Sequence, residues 1–239
     1  DREDQGRPLQ PACAPVGEFE VARCGGRGPG LFLLGNGRII EADKIFLNVG
    51  GRAVVPDIPG LADIDYLTNV GILELDSVPE HLVIIGGSYI ALEFAQMYRR
   101  FGARVTVVEK GPRLASREDE DVSAAIKDIL EAEGITVALG ATAMSVAKRD
   151  NGFALTPRDG ADPVLGTHLL VATGRRANTD DLGLEVAGVQ TDGRGYIEVD
   201  DQLRTTTEGI WAMGDCNGKG AFTHTSYNDF EIVAANLLD

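Results

Sequence analysis

The chain has 239 residues, 37 of them acidic and 22 basic, for a formal net charge of −15. Hydrophobic residues make up 44% and charged ones 25%, a balance that fits a folded globular protein of one large or two small domains and excludes a disordered or fibrous one. So acidic a surface repels phosphate backbones and anionic headgroups, which argues against nucleic-acid or membrane binding through bulk charge. No apolar run approaches the ~18 residues that a membrane span needs. The polar stretch from Asp1 to Gln10 has no signal-peptide core, so a soluble, cytoplasmic protein is expected. Cys13, Cys24 and Cys216 form no CxxC pair, and His81, His168 and His224 are scattered, so neither a disulfide framework nor a metal site is expected.

Up to about Gly30 the chain reads as loop with one strand near Phe19 to Ala22. Leu31 to Leu34, the Gly35-Asn36-Gly37 turn and Arg38 to Glu41 form a hairpin pattern, because Asn-Gly supplies the positive φ angles of such turns. Ile45 to Val49 is an apolar run ending in Gly50-Gly51. Leu82 to Ile85 and Val105 to Val108 are short and rich in β-branched residues, as expected of parallel strands buried on both faces. Between them, apolar residues at Ile90, Phe94, Met97, Tyr98 and Phe101 predict an amphipathic helix. Ser116 with Asp119 suggests the cap of a second helix, carrying Val122, Ile126, Ile129 and Leu130 and stopping at Gly134.

From Ile135 to Thr167, short alternating runs broken at Asp150-Asn151-Gly152 and Asp159-Gly160 predict an antiparallel meander. Leu169 to Thr173 and Ile210 to Met213 read as further buried strands. A last helix is predicted from near Thr225, with Phe230, Val233, Ala234 and Leu237 on one side. This order implies an α/β fold with parallel pairing at its centre. Lys44 to Ala53 aligns with His168 to Ala177 at an offset of 124 residues, each copy following a meander and ending in a strand–glycine turn. Such a repeat points to two related nucleotide-binding halves.

Gly86-Gly87-Ser88-Tyr89-Ile90-Ala91 sits between a predicted buried strand and an amphipathic helix. There Gly86 can make the tight turn, Ala91 allows close helix packing, and the helix N-terminus offers N–H groups to a pyrophosphate. Glu109 ends the next strand, 23 residues after Gly86, where a carboxylate can accept both hydroxyl hydrogens of an adenosine ribose. Ser88 replaces the usual second glycine, and its Cβ would crowd an approaching phosphate unless the loop shifts. Glu109 favours NAD(H) by repelling a 2′-phosphate, whereas Lys110 and Arg113 nearby could accept one, so NADP stays open.

Val49-Gly50-Gly51-Arg52, Gly86 to Glu93, Ala172 to Asn178 and Thr207 to Asp215 occur in this order. Together they resemble the FAD-dependent pyridine nucleotide–disulfide oxidoreductases, most closely the mercuric reductase-like and dihydrolipoamide dehydrogenase-like branch. The resemblance covers about residues 30–239. It implies a Rossmann-like three-layer fold, with a central parallel sheet and an antiparallel meander. Residues 77–172 would be an NAD(P)-binding domain set between FAD-binding segments at 1–76 and 173–239.

By the same resemblance, Gly86, Gly87, Ser88, Tyr89, Ile90, Glu93, Glu109 and Gly174 would bind NAD. Gly50, Gly51, Arg52, Arg175, Gly214, Asp215, Thr223 and His224 would bind FAD. Tyr89 would cover the nicotinamide pocket and Glu93 would approach the carboxamide; packing and an exposed helix charge are the plainer alternatives. Arg52 and Arg175 would lie near the cofactor junction, unless they are solvated surface arginines. Asp215 would hydrogen-bond the flavin ribityl chain, and Thr223-His224-Thr225 would open a helix under the flavin pyrimidine, His224 contributing through its backbone.

The family's first glycine fingerprint, its C-x₄-C redox pair and its C-terminal dimerisation domain are not found in these residues. The expectation is therefore the core of a longer homodimeric enzyme that passes hydride from nicotinamide to FAD and on to a disulfide, a metal ion or another acceptor. No catalytic residue is assigned within the chain, and the isolated chain is expected to bind NADH weakly, hold FAD poorly and turn over nothing. Two alternatives stay open: a non-catalytic nucleotide-binding module, and a non-disulfide flavoprotein such as an NADH oxidase or ferredoxin reductase.

Overall fold

A computed structural model describes residues 19–22, 30–34, 39–142, 144–157 and 162–238. The Gly35-Asn36-Gly37 turn, the Asp159-Gly160 break, Cys13 and Cys24 lie outside the described residues. The chain divides into two compact units, one drawn from Asp1–Arg52 with Arg176–Asp239 and the other formed by Ala53–Arg175.

In the first unit, β1 (Phe19–Ala22), β2 (Gly30–Leu34) and β3 (Ile39–Ala42) make an antiparallel meander with Leu33 opposite Ile39. The strand β4 (Ile45–Leu47) pairs in parallel with β15 (Ile210–Ala212), Ile45 facing Ile210. Ile45, Leu47, Ile210 and Ala212 are buried with Leu184, Val189 and Ile197 in one apolar cluster. After β15 the chain makes a 3₁₀ turn at Gly214–Asn217 and then the helix α3, Thr223–Leu238.

The second unit is a five-stranded parallel sheet in the order β6 (Tyr66–Leu67), β13 (His168–Val171), β7 (His81–Ile85), β8 (Arg104–Val108), β9 (Thr136–Ala138). Because side chains alternate along a strand, Leu82 and Ile84 of β7 face one way and Val83 and Ile85 the other. The first pair packs with Val105, Val107 and the helices α1 (Tyr89–Arg100) and α2 (Glu120–Ala132). The second packs with Val146, Phe153 and Leu155 of an antiparallel meander made of β10 (Ser145–Arg149), β11 (Gly152–Thr156) and β12 (Val164–Gly166). Helices, sheet and meander form the three expected layers. Burial on both faces is why these strands read as unbroken apolar runs.

The internal repeat has a structural counterpart. Each copy is a three-stranded meander followed by a strand, β4 or β13, in a parallel pairing and then a glycine with positive φ, Gly50 or Gly174. The strands that continue the two copies, β5 (Gly51–Ala53) and β14 (Arg175–Ala177), pair with each other.

Four sequence expectations need correction. On α1 the fully buried stripe is Ala91, Ala95 and Tyr98, while Phe101 lies past the helix end and is 60% exposed. Small residues sit against the sheet because only they let the helix axis come close, and the bulky residues flank them. The helix α2 begins at Glu120 with Asp119 at its N-cap, not at Ser116, and Val122 and Ile129 are exposed. The delay has a tertiary cause: Ala115 is held at φ 45° with its N–H donated to the Gly87 carbonyl at 2.7 Å, which keeps the segment before α2 out of helical geometry. The segment Thr136–Ala138 joins the parallel sheet as β9 rather than the meander, since Gly134 ends α2 with the Ile135 N–H bonded back to Leu130. Finally, on α3 Phe230 is 52% exposed while Asp229 and Val233 are buried.

Candidate functional site

Within the second unit, β7 ends in Gly86 and turns into α1. Gly86 sits at φ +118°, and a Cβ there would lie 2.3 Å from the Ala172 carbonyl oxygen. Its own N–H donates to the Val108 carbonyl at 2.9 Å, so the turn is wedged between the ends of β13 and β8. A Cβ on Gly87 would meet Cγ and Oε2 of Glu109 and Cδ2 of Leu114, each at 2.9 Å. Glu109, immediately after β8, therefore lays its carboxylate against the glycine turn. Its Oε1 accepts the Gly111 N–H at 2.7 Å, and its backbone bonds to Ala138 and Ala141 hold it in place.

Ser88 is the N-cap of α1, exposed, with no side-chain cap hydrogen bond, so its hydroxyl does not close the helix end. The first turn of α1 carries no acidic side chain, whereas α2 carries Glu120 and Asp121 there. A helix N-terminus has partial positive charge and unpaired N–H groups, and an acidic first turn neutralises it; α1 has no such residue in its first turn. Tyr89 and Glu93, four residues apart, are exposed on one face of α1, while Ile90 is half-buried. Beyond Glu109, Pro112, Arg113, Leu114 and Ser116 line an open cleft of about 610 Å³ with residues of α2 and Leu139. Arg113 is tied there to Glu120 at 3.0 Å and to the Ser116 carbonyl. Gly174 stands at φ +140°, where a Cβ would meet nothing within 4 Å, and its carbonyl accepts the Val54 N–H.

The first unit holds the other group of residues. Gly50 accepts the Asn178 N–H through its carbonyl, and the Asn178 side chain donates to Val49. Arg52 donates to Asn178 Oδ1 at 2.8 Å and to both Asp180 oxygens at 2.7 and 2.6 Å, so its guanidinium is engaged by its own unit. The hydrogen bonds from Arg52, against partial burial, hold the Asp180 carboxyl below its ordinary value. Arg175 is half-buried on β14. Gly214, at φ +69°, is enclosed: a Cβ would lie 2.6 Å from Asn48 Oδ1 and 2.8 Å from Ser226 Oγ. This brings the segment after β4, the turn carrying Asp215 and the first turn of α3 together. Thr223 and His224 open α3 as expected, and the exposed His224 ring stacks on Phe222 at 5.3 Å. Cys216, next to Asp215, is fully buried, donates to the Leu47 and Met213 carbonyls, and burial pushes its thiol above the ordinary range. Among the described residues no group of His, Cys, Asp and Glu is arranged to hold a metal ion, and no helix is long and apolar enough to cross a membrane.

Residues 18–229 match the family model described as pyridine nucleotide-disulphide oxidoreductase, which is most of the chain. The chain belongs to this family. Among its relatives in the family, the mercuric reductase of Streptomyces lividans is 43% identical over 84% of this chain and 42% of its own length. The probable pyridine nucleotide-disulfide oxidoreductase RclA of Escherichia coli K12 is 38% identical over 83% of this chain and 45% of its own. The solved structure of the HOCl-induced flavoprotein disulfide reductase RclA from Escherichia coli superposes with a TM-score of 0.84 at 34% identity, covering 93% of this chain and 50% of that one. LpdA of Mycobacterium tuberculosis gives 0.81 at 28% identity, over 92% and 49%. The chain spans about half the length of these relatives.

Three polar residues that organise these sites escaped the sequence reading: Asn178, Asn217 and Asp229, all buried. The one signal in the sequence was Asp229, a carboxylate beside Ile232 and Val233 on the predicted helix.

Proposed function

We propose that this chain is the NAD(H)-binding core, with flanking flavin-binding segments, of a longer flavoprotein oxidoreductase, and that residues 77–172 form the nucleotide-binding part of the Ala53–Arg175 unit. The observation that carries the reading is the Glu109 carboxylate lying against Gly87 beside an α1 N-terminus with no acidic side chain in its first turn. The residues fit a dinucleotide: at Gly86 and Gly87 a side chain would fill the cradle, and the helix end beyond them suits a pyrophosphate. When bound, the nicotinamide supplies a hydride and FAD accepts it, for onward passage to a disulfide, a metal ion or another acceptor.

The chain's own residues bind and orient. Glu109 accepts hydrogen bonds from the ribose diol and, by its charge, disfavours a 2′-phosphate. Arg113 supports the same preference, because Glu120 already neutralises it. Tyr89 and Glu93 stand on the α1 face where the nicotinamide end would lie. Gly50, Gly51, Arg52, Arg175 and the Gly214–Asp215 turn belong to the flavin side, and the N-terminus of α3, at Thr223 and His224, places positive helix-end charge where reduced flavin becomes anionic. The reading includes a cytoplasmic homodimer for the longer protein.

Titration of wild-type and Glu109→Ala protein with NADH and NADPH tests it. The wild type should bind NADH more tightly than NADPH. The substitution should weaken NADH by about tenfold or more, the loss expected when charge-assisted hydrogen bonds disappear. Tighter binding of NADPH, or an unchanged NADH affinity in Glu109→Ala, would refute it.

A further inference from the structure

Asp229 is 3% exposed and is the only buried carboxylate among the described residues. One of its oxygens, Oδ2, accepts the Gly214 N–H at 2.9 Å and Asn217 Nδ2 at 2.8 Å. Asn217 in turn donates to the Ala212 carbonyl at 3.2 Å and accepts the Lys219 N–H at 2.9 Å. A single buried oxygen on α3 thus clasps both ends of the turn Gly214–Asn217, whose second residue is Asp215. The turn is also held sterically, since Gly214 has no room for a side chain between Asn48 and Ser226.

Burying a carboxylate carries a large desolvation penalty, and an apolar side chain of similar volume would serve helix packing at least as well. What an apolar residue cannot do is fix two N–H groups three residues apart. We infer that Asp229 is a positioning residue for flavin binding: it sets the backbone from which Asp215 projects, and so sets where the Asp215 carboxylate meets the ribityl hydroxyls. The inference rests on the proposed flavoprotein reading and adds to it a residue that itself touches no cofactor.

The test uses the complete protein in which this chain occurs, stripped of flavin and titrated with FAD, as wild type, Asp229→Ala, Asp229→Asn, Asp215→Ala and the Asp215→Ala/Asp229→Ala double variant. Visible circular dichroism of the bound flavin is the second readout, and NADH affinity, which belongs to the other unit, is the control. Asp229→Ala should weaken FAD about tenfold and alter the flavin spectrum, with NADH affinity unchanged. Asp229→Asn, which keeps an acceptor oxygen in place, should recover most of the loss. The double variant should bind no worse than Asp215→Ala, because Asp229 acts through Asp215. Wild-type affinity and spectrum in Asp229→Ala, or losses that multiply in the double variant, would overturn the inference and leave the flavoprotein reading standing. A wild-type protein that takes up no FAD overturns both. If Asp229→Ala does not fold, Asn217→Ala, which removes one of the two bonds, is measured against Asp215→Ala in the same way.

Discussion

Replacing Gly86 by alanine probes the nucleotide turn most directly. Two separable effects act there. The backbone stands at φ +118°, where an L side chain is strained by about 1–3 kcal/mol. The new Cβ would also sit 2.3 Å from the Ala172 carbonyl oxygen and 2.8 Å from its carbon. Those atoms belong to backbone at the end of β13, not to a side chain that can rotate aside, so relieving the overlap adds about 1–3 kcal/mol more. Together the loss is about 4 kcal/mol, a large share of the 5–15 kcal/mol typical of a folded protein.

Gly174→Ala is the matched control. Its φ is +140°, but its Cβ would meet nothing within 4 Å, so it reports strain alone. Thermal unfolding followed by circular dichroism should place Gly86→Ala roughly 8–16 °C below the wild type, and Gly174→Ala about half as far below. Equal destabilisation by the two substitutions would refute the argument, since it would mean that the wedge between β13 and β8 contributes nothing.

Three further outcomes are expected. His81 is buried with Nε2 2.9 Å from Thr106 Oγ1 and no partner for Nδ1; burial first, and then the Arg104 charge, push its pKa below the ordinary 6.5, the Leu165 carbonyl and Glu80 opposing. The unfolded chain therefore binds the extra proton more readily, so the His81 contribution is complete above pH 6.5 and is lost as pH falls below it. The difference in melting temperature between wild type and His81→Gln should shrink from pH 7.5 to pH 5, and a constant difference would sink the idea. Cys216 should resist alkylation in the folded protein, as read by mass spectrometry of its peptide, and react only after denaturation; modification under native conditions would contradict the burial. Asp180→Ala should lower stability by less than about 1 kcal/mol in urea unfolding, because the Arg52–Asp180 pair is partly solvated at 31% and 52% side-chain exposure. A loss above about 2 kcal/mol would show that Arg52 organises more of the unit than these contacts indicate.

Patterns carried by local chemistry were legible before any coordinates. The strands β7, β8 and β13 are buried on both faces, so their residues had to be largely apolar, and the run of four at Leu82–Ile85 could be read directly. The glycine turn and Glu109 were legible for a similar reason: a close backbone approach demands glycine, and the strand period places a carboxylate at the next strand's end. The repeat at an offset of 124 residues foretold two meander–strand–glycine units. Helix faces were misread where packing distance overrode hydrophobicity. Ala91 and Ala95 carry weak apolar signals, yet they face the sheet because nothing larger fits, and Phe101 was displaced past the helix end.

The start of α2 was misread because its cause is not local. Ala115 bonds to Gly87, twenty-eight residues away, and no window around Ser116 contains that partner. The same holds for the polar centres. Arg52 finds Asn178 and Asp180 across more than a hundred residues, and the Asp229 carboxylate meets Gly214 and Asn217 only in the folded chain. By itself, then, the sequence determined which segments become buried strands, where the chain must turn on glycine, and that Glu109 follows the strand after the fingerprint. Only the tertiary structure decided which polar groups satisfy one another, because a hydrogen-bond partner is chosen by proximity after folding and leaves no periodic trace in the chain.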